Sequence, residues 1–254
     1  MLTLLIATAS AAADMDMAPC GEPYVSGTIP AAGQQDVPLD IAPAFVWAED
    51  CAEGGSFSVR LELEGEVIAQ QTFTTAAASS GLERLFLDED LQAHTEYLFV
   101  IEDSWSEVEV AFTTGEGLVV GSEPPVVISA SASASENQDG SYYVYTSVQA
   151  ELGQDPDRSS VLLLVDADGG VLAASANSPA WMSDAVFTET APEEGCLLLA
   201  QEDGAGVRSE PVEACALAEI LPYRGGVGGC STGGLAASAW LGLVGLLALR
   251  RRRD

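Results

Sequence analysis

Apolar and polar positions alternate along most of this chain with a period of two. Phe57, Val59, Leu61 and Leu63 alternate with Ser58, Arg60 and Glu62, and Val108, Val110 and Phe112 alternate with Glu107, Glu109 and Ala111. Successive side chains of a strand point to opposite faces, so each segment is expected to be a strand with one face in a core and one in water. Glu64-Gly65 reads as a hairpin turn, and residues 41–47 and 96–101 supply further core strands. A stretch rich in Gly, Glu and Pro at 115–125 reads as a linker. Beyond it, strands are expected over 126–134, 142–150, 161–165, 171–175, 185–188, 196–201 and 207–215, with turns at 137–140 and 166–169. Short strands at this spacing predict an all-β fold class of two tandem β-sandwich domains, at 20–115 and 126–217, with residues 116–125 between them.

The cysteines refine this. Cys20, Cys51, Cys196, Cys215 and Cys230 are an odd number, so one stands apart. Cys230 is set off in a glycine-rich tail, and the other four pair most economically as Cys20–Cys51 and Cys196–Cys215, one staple in each half. If residues 202–206 turn the chain with Gln201 opposite Glu210, register puts Cys196 directly opposite Cys215, within disulfide reach.

Both ends look like sorting segments. Residues 2–13 form a short apolar run with Ala11 and Ala13 in the A-x-A arrangement of a secretory signal peptide, so residues 1–13 are expected to be removed. The run lacks a cationic n-region, which makes it either a minimal signal or part of a longer one. A lipoprotein reading through Cys20 is disfavoured by Pro19, where a small residue is wanted. At the other end, a Gly-rich segment at 218–234 holds Gly229 and Cys230, an apolar segment covers 235–249, and Arg250, Arg251, Arg252 and Arg253 follow. Residues 231–249 carry no charge and, at ~1.5 Å per residue, reach about the thickness of a bilayer core as a helix. The arginines act as a membrane stop on the cytoplasmic side. The many glycines make the span easy to unwind.

Charge narrows the partners. There is no lysine, four of the nine cationic residues are the terminal arginines, and 39 residues are acidic. Such a surface repels nucleic acid and anionic lipid. It also attracts cations and stays soluble in high salt, as a saline habitat would require.

Candidate chemistry is sparse. The single histidine, His94, sits before a strand and reads as an exposed loop residue, leaving no imidazole for a nucleophilic triad. Zinc needs several His or thiolate ligands, and the cysteines are better used as disulfides. With so many acids, no pair suited to glycoside hydrolysis can be singled out. The expectation is a non-enzymatic protein. Asp166 and Asp168 have the i, i+2 spacing of a calcium loop, although a hairpin turn at Asp168-Gly169 explains the same residues without an ion. Calcium is the one cofactor the sequence suggests. Trp105, in an expected turn, and Trp181, in an expected loop after Ser178-Pro179, offer flat apolar rings for stacking on a sugar, or equally for packing at a domain edge.

Two resemblances complete the reading. Gly228-Gly229-Cys230-Ser231, the apolar span and the terminal arginines together resemble the MYXO-CTERM class of bacterial sorting signals, against the plainer alternatives of an ordinary C-terminal anchor or direct acylation of the cysteine. The resemblance implies cleavage near Cys230 by a membrane-embedded sorting protease, modification of that cysteine, and retention at the cell surface. The run Ile29-Pro30-Ala31-Ala32-Gly33-Gln34-Gln35-Asp36-Val37-Pro38-Leu39-Asp40 and the closing Phe112-Thr113-Thr114-Gly115 resemble the SbsA-type bacterial immunoglobulin-like domain. Leu91, Thr95, Tyr97 and Phe99 are spaced as in immunoglobulin-like and fibronectin-like strands, where a tyrosine near a strand start makes a corner hydrogen bond. The Cys20–Cys51 staple is an addition to that domain. The second sandwich resembles such modules only in outline. The function expected is that of a secreted, surface-anchored structural, adhesive or accessory protein, whose partner is a surface protein or glycan. The alternative is a surface carbohydrate- or polymer-binding module.

Overall fold

The alternating segments form strands within residues 23–48, 55–75, 80–121 and 123–221, which are the residues described by this computed structural model. The signal segment, Cys20, Cys51, Gly229, Cys230, the apolar span and the terminal arginines lie outside them. Among the described residues no helix is long and apolar enough to cross a membrane. Among the described residues, seven strands form the N-terminal half: β1 Tyr24–Ile29, β2 Ala44–Ala48, β3 Ser56–Leu63, β4 Glu66–Thr74, β5 Ser80–Arg84, β6 Glu96–Glu102 and β7 Glu107–Thr113. They make a three-stranded sheet in the order β1-β2-β5 and a four-stranded sheet in the order β4-β3-β6-β7. Phe45 of one sheet meets Phe57 and Phe73 of the other edge-on, with ring centroids 4.9 and 5.8 Å apart. Glu64 and Gly65 both have positive φ, 52° and 82°, which gives the β3–β4 hairpin the twist its strands need. The Tyr97 hydroxyl accepts a 2.9 Å bond from the Gln92 amide, closing the corner expected ahead of β6.

The C-terminal half contains β8 Val126–Glu136, β9 Tyr142–Glu151, β10 Val161–Val165, β11 Val171–Ser175, β12 Ala180–Thr188, β13 Glu194–Glu202 and β14 Val212–Leu221. Its two layers are joined as one sheet in the order β11-β10-β13-β14-β8-β9-β12, which curls so that β9 and β12 cover β10 and β13. All its pairings are antiparallel except β14 with β8, which run parallel. Cys196 stands opposite Cys215 in the β13–β14 ladder, and the two are joined by a disulfide with Cα atoms 4.1 Å apart. β14 extends six residues past Cys215 because β8 supplies partners for Ala218, Glu219, Ile220 and Leu221.

Three hairpins share one turn. Asn137, Asp166 and Asp203 each begin a four-residue turn that ends in a glycine of positive φ, Gly140 at 83°, Gly169 at 84° and Gly206 at 85°. In each, the glycine amide donates to the carbonyl of the first residue, and the flanking residues close the loop.

The two halves meet through a sheet-to-sheet interface. Gly27, Val46 and Leu82 stand abreast in β1, β2 and β5 and face β11. A Cβ on Gly27 would lie 2.8 Å from that of Ala176, so the close approach requires glycine there. All five residues of β10 are buried. Val161, Leu163 and Val165 belong to the core that includes Phe45 and Phe57, whereas Leu162 and Leu164 belong to the core of β9, β12 and β13. Arg84, at the end of β5, is buried and donates from Nε to Glu202 Oε1 (2.7 Å), from Nη1 to the carbonyls of Ala42 (3.1 Å) and Gly204 (3.3 Å), and from Nη2 to that of Asp203 (2.7 Å). Arg208 grips the second oxygen of Glu202 at 3.0 Å. The segment after β7 is also tied down. Gly117 accepts from the Leu39 amide at 2.9 Å, Val119 donates to Asp40 at 2.6 Å, and Val120 donates to Asp157 at 3.1 Å.

Glu83 stands beside Phe45 in the β2–β5 ladder, and burial pushes its carboxyl up from the ordinary glutamate range. An acid whose pKa is raised by folding contributes stability that is present below the unfolded pKa and is lost as pH rises through the folded value. Glu83→Gln should therefore raise the melting temperature at pH 7 and leave it unchanged near pH 3. The gain should stay below about 1 kcal/mol, because the side chain is only part-buried and its charge is screened. Melts of the two proteins across that pH range check the sign.

Candidate functional site

Strand β12 begins at Ala180, five residues before the expected start, and this places Trp181 within a sheet instead of a loop. Ala180 and Met182 point inward, with Val148 and Ala150 of β9, into the core beneath. Trp181 therefore points out. Register pairs Trp181 with Gln149, Ser183 with Ser147, Ala185 with Tyr145, and Phe187 with Tyr143. On the other side of β9, the same four rows continue into Ser129, Ser131, Ser133 and Ser135 of β8, whose intervening residues Ala132 and Ala134 are buried.

The outcome is one open sheet face carrying four aromatic rings among serines and a glutamine. Trp181 is 64% exposed, Phe187 72%, Tyr143 40% and Tyr145 43%. The Tyr143 and Phe187 rings lie 5.2 Å apart, tilted to each other. From the row of Trp181 to that of Phe187 is about 20 Å along the strands, and β12 to β8 about 10 Å across them. On β12, β9 and β8 these four rows carry no charge, and the next strand, β14, adds Glu219 beside Ser133 and Leu221 beside Ser135. Among the described residues, no hydroxyl of this face, nor the Gln149 amide or the Trp181 indole, is bonded to another part of the protein. Chemically, the face offers flat apolar rings next to free donors and acceptors.

The other sequence candidates lie elsewhere. Trp105 is 79% exposed in the β6–β7 turn and shares a hollow of about 360 Å³ with Pro23, Tyr24, Asp103 and Ser106. That turn is built by Asp103, whose Oδ1 accepts from the amides of Trp105 (2.7 Å) and Ser106 (2.6 Å). Burial pushes the Asp103 carboxyl up, but the Ser106 hydroxyl and these amides outweigh it and hold the carboxyl below the usual range. His94 is exposed, with φ of 51°, and contacts Glu116 at 2.9 Å.

Asp166 Oδ1 accepts from the amides of Asp168 (2.9 Å) and Gly170 (2.7 Å). Asp203 does the same for Ala205 (3.1 Å) and Val207 (2.8 Å) in its own hairpin, so the acid at the first position serves the turn geometry in both. Glu194 lies beside the Cys196–Cys215 pair, but sulfurs joined in a disulfide present no thiolate to a metal.

A recess of about 630 Å³ opens where the halves meet, with Gln34, Asp155, Arg158 and Ser160 in its wall. Burial pushes the Asp155 carboxyl up, against the bond from the Ser160 hydroxyl that pulls it down. Its Oδ1 already accepts from the Ser159 amide (3.1 Å) and the Ser160 hydroxyl (2.9 Å) and its Oδ2 from the Ser160 amide (3.4 Å), and Gln34 is committed to the Asp157 carbonyl at 2.8 Å. The Gln34 bond crosses the seam between the halves, and the Asp155 bonds order the loop on its far side.

No protein-family model matches the chain, and no curated protein matches it. Among solved structures, it is similar to the fibronectin(III)-like modules of Clostridium thermocellum CbhA, with 12% identity over 78% of this chain and 94% of that one, TM-score 0.26. It is also similar to the BSP domain of a biofilm associated protein, with 13% identity over 78% of this chain and 30% of that one, TM-score 0.25. For the tandem Ig repeats of Dlar the figures are 14% identity, 79% of this chain, 98% of that one and a TM-score of 0.25.

Proposed function

We propose that this is a secreted, cell-surface adhesive or accessory protein and that its contact surface is the outer face of β12, β9 and β8. The observation that carries the reading is the gathering of Trp181, Phe187, Tyr143 and Tyr145 on one face of a strongly acidic chain, with no charge among the rings. Large rings are costly to leave in water, and a patch of them rimmed by polar groups marks an interaction site. Delivery to the surface rests on the signal-like N-terminus and the sorting-like tail. Processing near Cys230 by a membrane protease belongs to the same proposal.

Antibody labelling of intact, unpermeabilised cells should detect the protein, and labelling only after permeabilisation would overturn the surface assignment. The purified full chain should sediment with isolated cell envelopes, whereas Trp181→Ala/Phe187→Ser should stay in the supernatant. Equal sedimentation of both would remove this face from the account.

A further inference from the structure

The same face also indicates the chemistry of its partner, provided that it is the contact surface proposed above. We infer that it binds a neutral polysaccharide strand. Three observations converge. The four rings are spread over rows about 20 Å apart, not gathered into one pocket, so the ligand must be extended. Between the rings lie Ser147, Ser183, Gln149 and the β8 serines, all without protein partners, which suits a ligand dense in hydroxyls and not a plain apolar surface. On β12, β9 and β8 the rows contain no charged residue, and the chain carries a formal net charge of −30. A polyanion would meet repulsion without a cation to receive it, and a second copy of this chain would bring the same charge against itself. A basic protein would be attracted to the acidic surroundings, but no carboxylate lies among the rings, and Glu219 stands beyond Ser133 on β14. A sugar ring has apolar C–H faces that lie flat on aromatic rings and an equatorial rim of hydroxyls for serine and glutamine. A chain of such rings fits both the length of the face and its neutrality.

The experiment uses the full chain and isolated envelopes treated in three ways. Envelopes stripped with protease should still bind. Envelopes oxidised with periodate, which cleaves the vicinal diols of sugars, should lose binding. A soluble neutral β-glucan should compete, and alginate should not. Trp181→Ala and Phe187→Ser, made singly, should each bind untreated envelopes about tenfold more weakly, the loss typical of truncating one ring in a contact centre. Both side chains are largely exposed, and unchanged melting temperatures will show that the variants fold. Loss of binding after protease, its survival after periodate, or competition by alginate would overturn the glycan inference while leaving the contact surface in place. Single variants that bind as the parent does would instead overturn the reading of the face on which the inference rests.

Discussion

Arg84→Met should lower the free energy of unfolding by about 3–5 kcal/mol, as expected when one partner of a buried ion pair is removed and the other is left behind. Arg84 is 6% exposed and Glu202 7%, and every Arg84 nitrogen is hydrogen-bonded. Arg208 would still hold one oxygen of Glu202 and the Gly206 amide would still hold the Asp203 carbonyl, but the oxygen facing Arg84 and the Ala42 carbonyl would lose their donor. A double variant, Arg84→Met with Glu202→Leu, should recover part of the loss, because Arg208 is partly exposed and can turn to water. Denaturant melts of the three proteins would measure this. A single variant within 1 kcal/mol of the parent would mean that the pair does not bind the halves together.

Leu163→Ala and Leu164→Ala should each cost about 2–5 kcal/mol, the range for truncating a buried leucine. Their side chains lie on opposite faces of β10, Leu163 in the core with Phe45 and Phe57, and Leu164 in the core with Val148 and Met182. If β10 serves both cores, either variant lowers one shared transition. Fluorescence of the buried Trp47 should then follow the N-terminal half and circular dichroism the whole, with coincident curves. Two separated transitions, each moved by only one of the variants, would show that the halves fold independently.

Much of the fold was legible because half-buried strands announce themselves by alternation. The pattern at Phe57, Val59 and Leu61 is observed as a strand with those residues buried. The pairing of Cys196 with Cys215 was legible from the economy of pairing the cysteines and from the register of a hairpin with Gln201 opposite Glu210. Contacts between distant segments were not legible. Arg84 and Glu202 are 118 residues apart, and neither has a local pattern that names the other. β10 did carry a signal: Val161-Leu162-Leu163-Leu164-Val165 is continuously apolar, as a strand covered on both faces should be.

The aromatic face was legible only in part. Trp181 stood out as a tryptophan beside a proline. Tyr143 and Tyr145 did not, because alternation in β9 is satisfied with either set of residues inside. The choice was made by Val144, Thr146 and Val148, which fit beneath the sheet and turn the tyrosines outward. At β12 the alternation changes character partway, with Val186 on the inner side yet half exposed where the covering layer ends. The strand looked shorter in the sequence because the residues after Ser178-Pro179 read as a loop.

The parallel pairing of β14 with β8 has a mechanical consequence. Ladder bonds run across the strands, so a pull along β14 from Leu221 loads them together in shear and does not open them one by one. The disulfide at Cys215 fixes β14 covalently to β13, which confines any slip to residues 216–221. A chain held by its C-terminal end would thus meet tension with its last strand acting as a clamp, and a reducing agent would lengthen the segment able to yield.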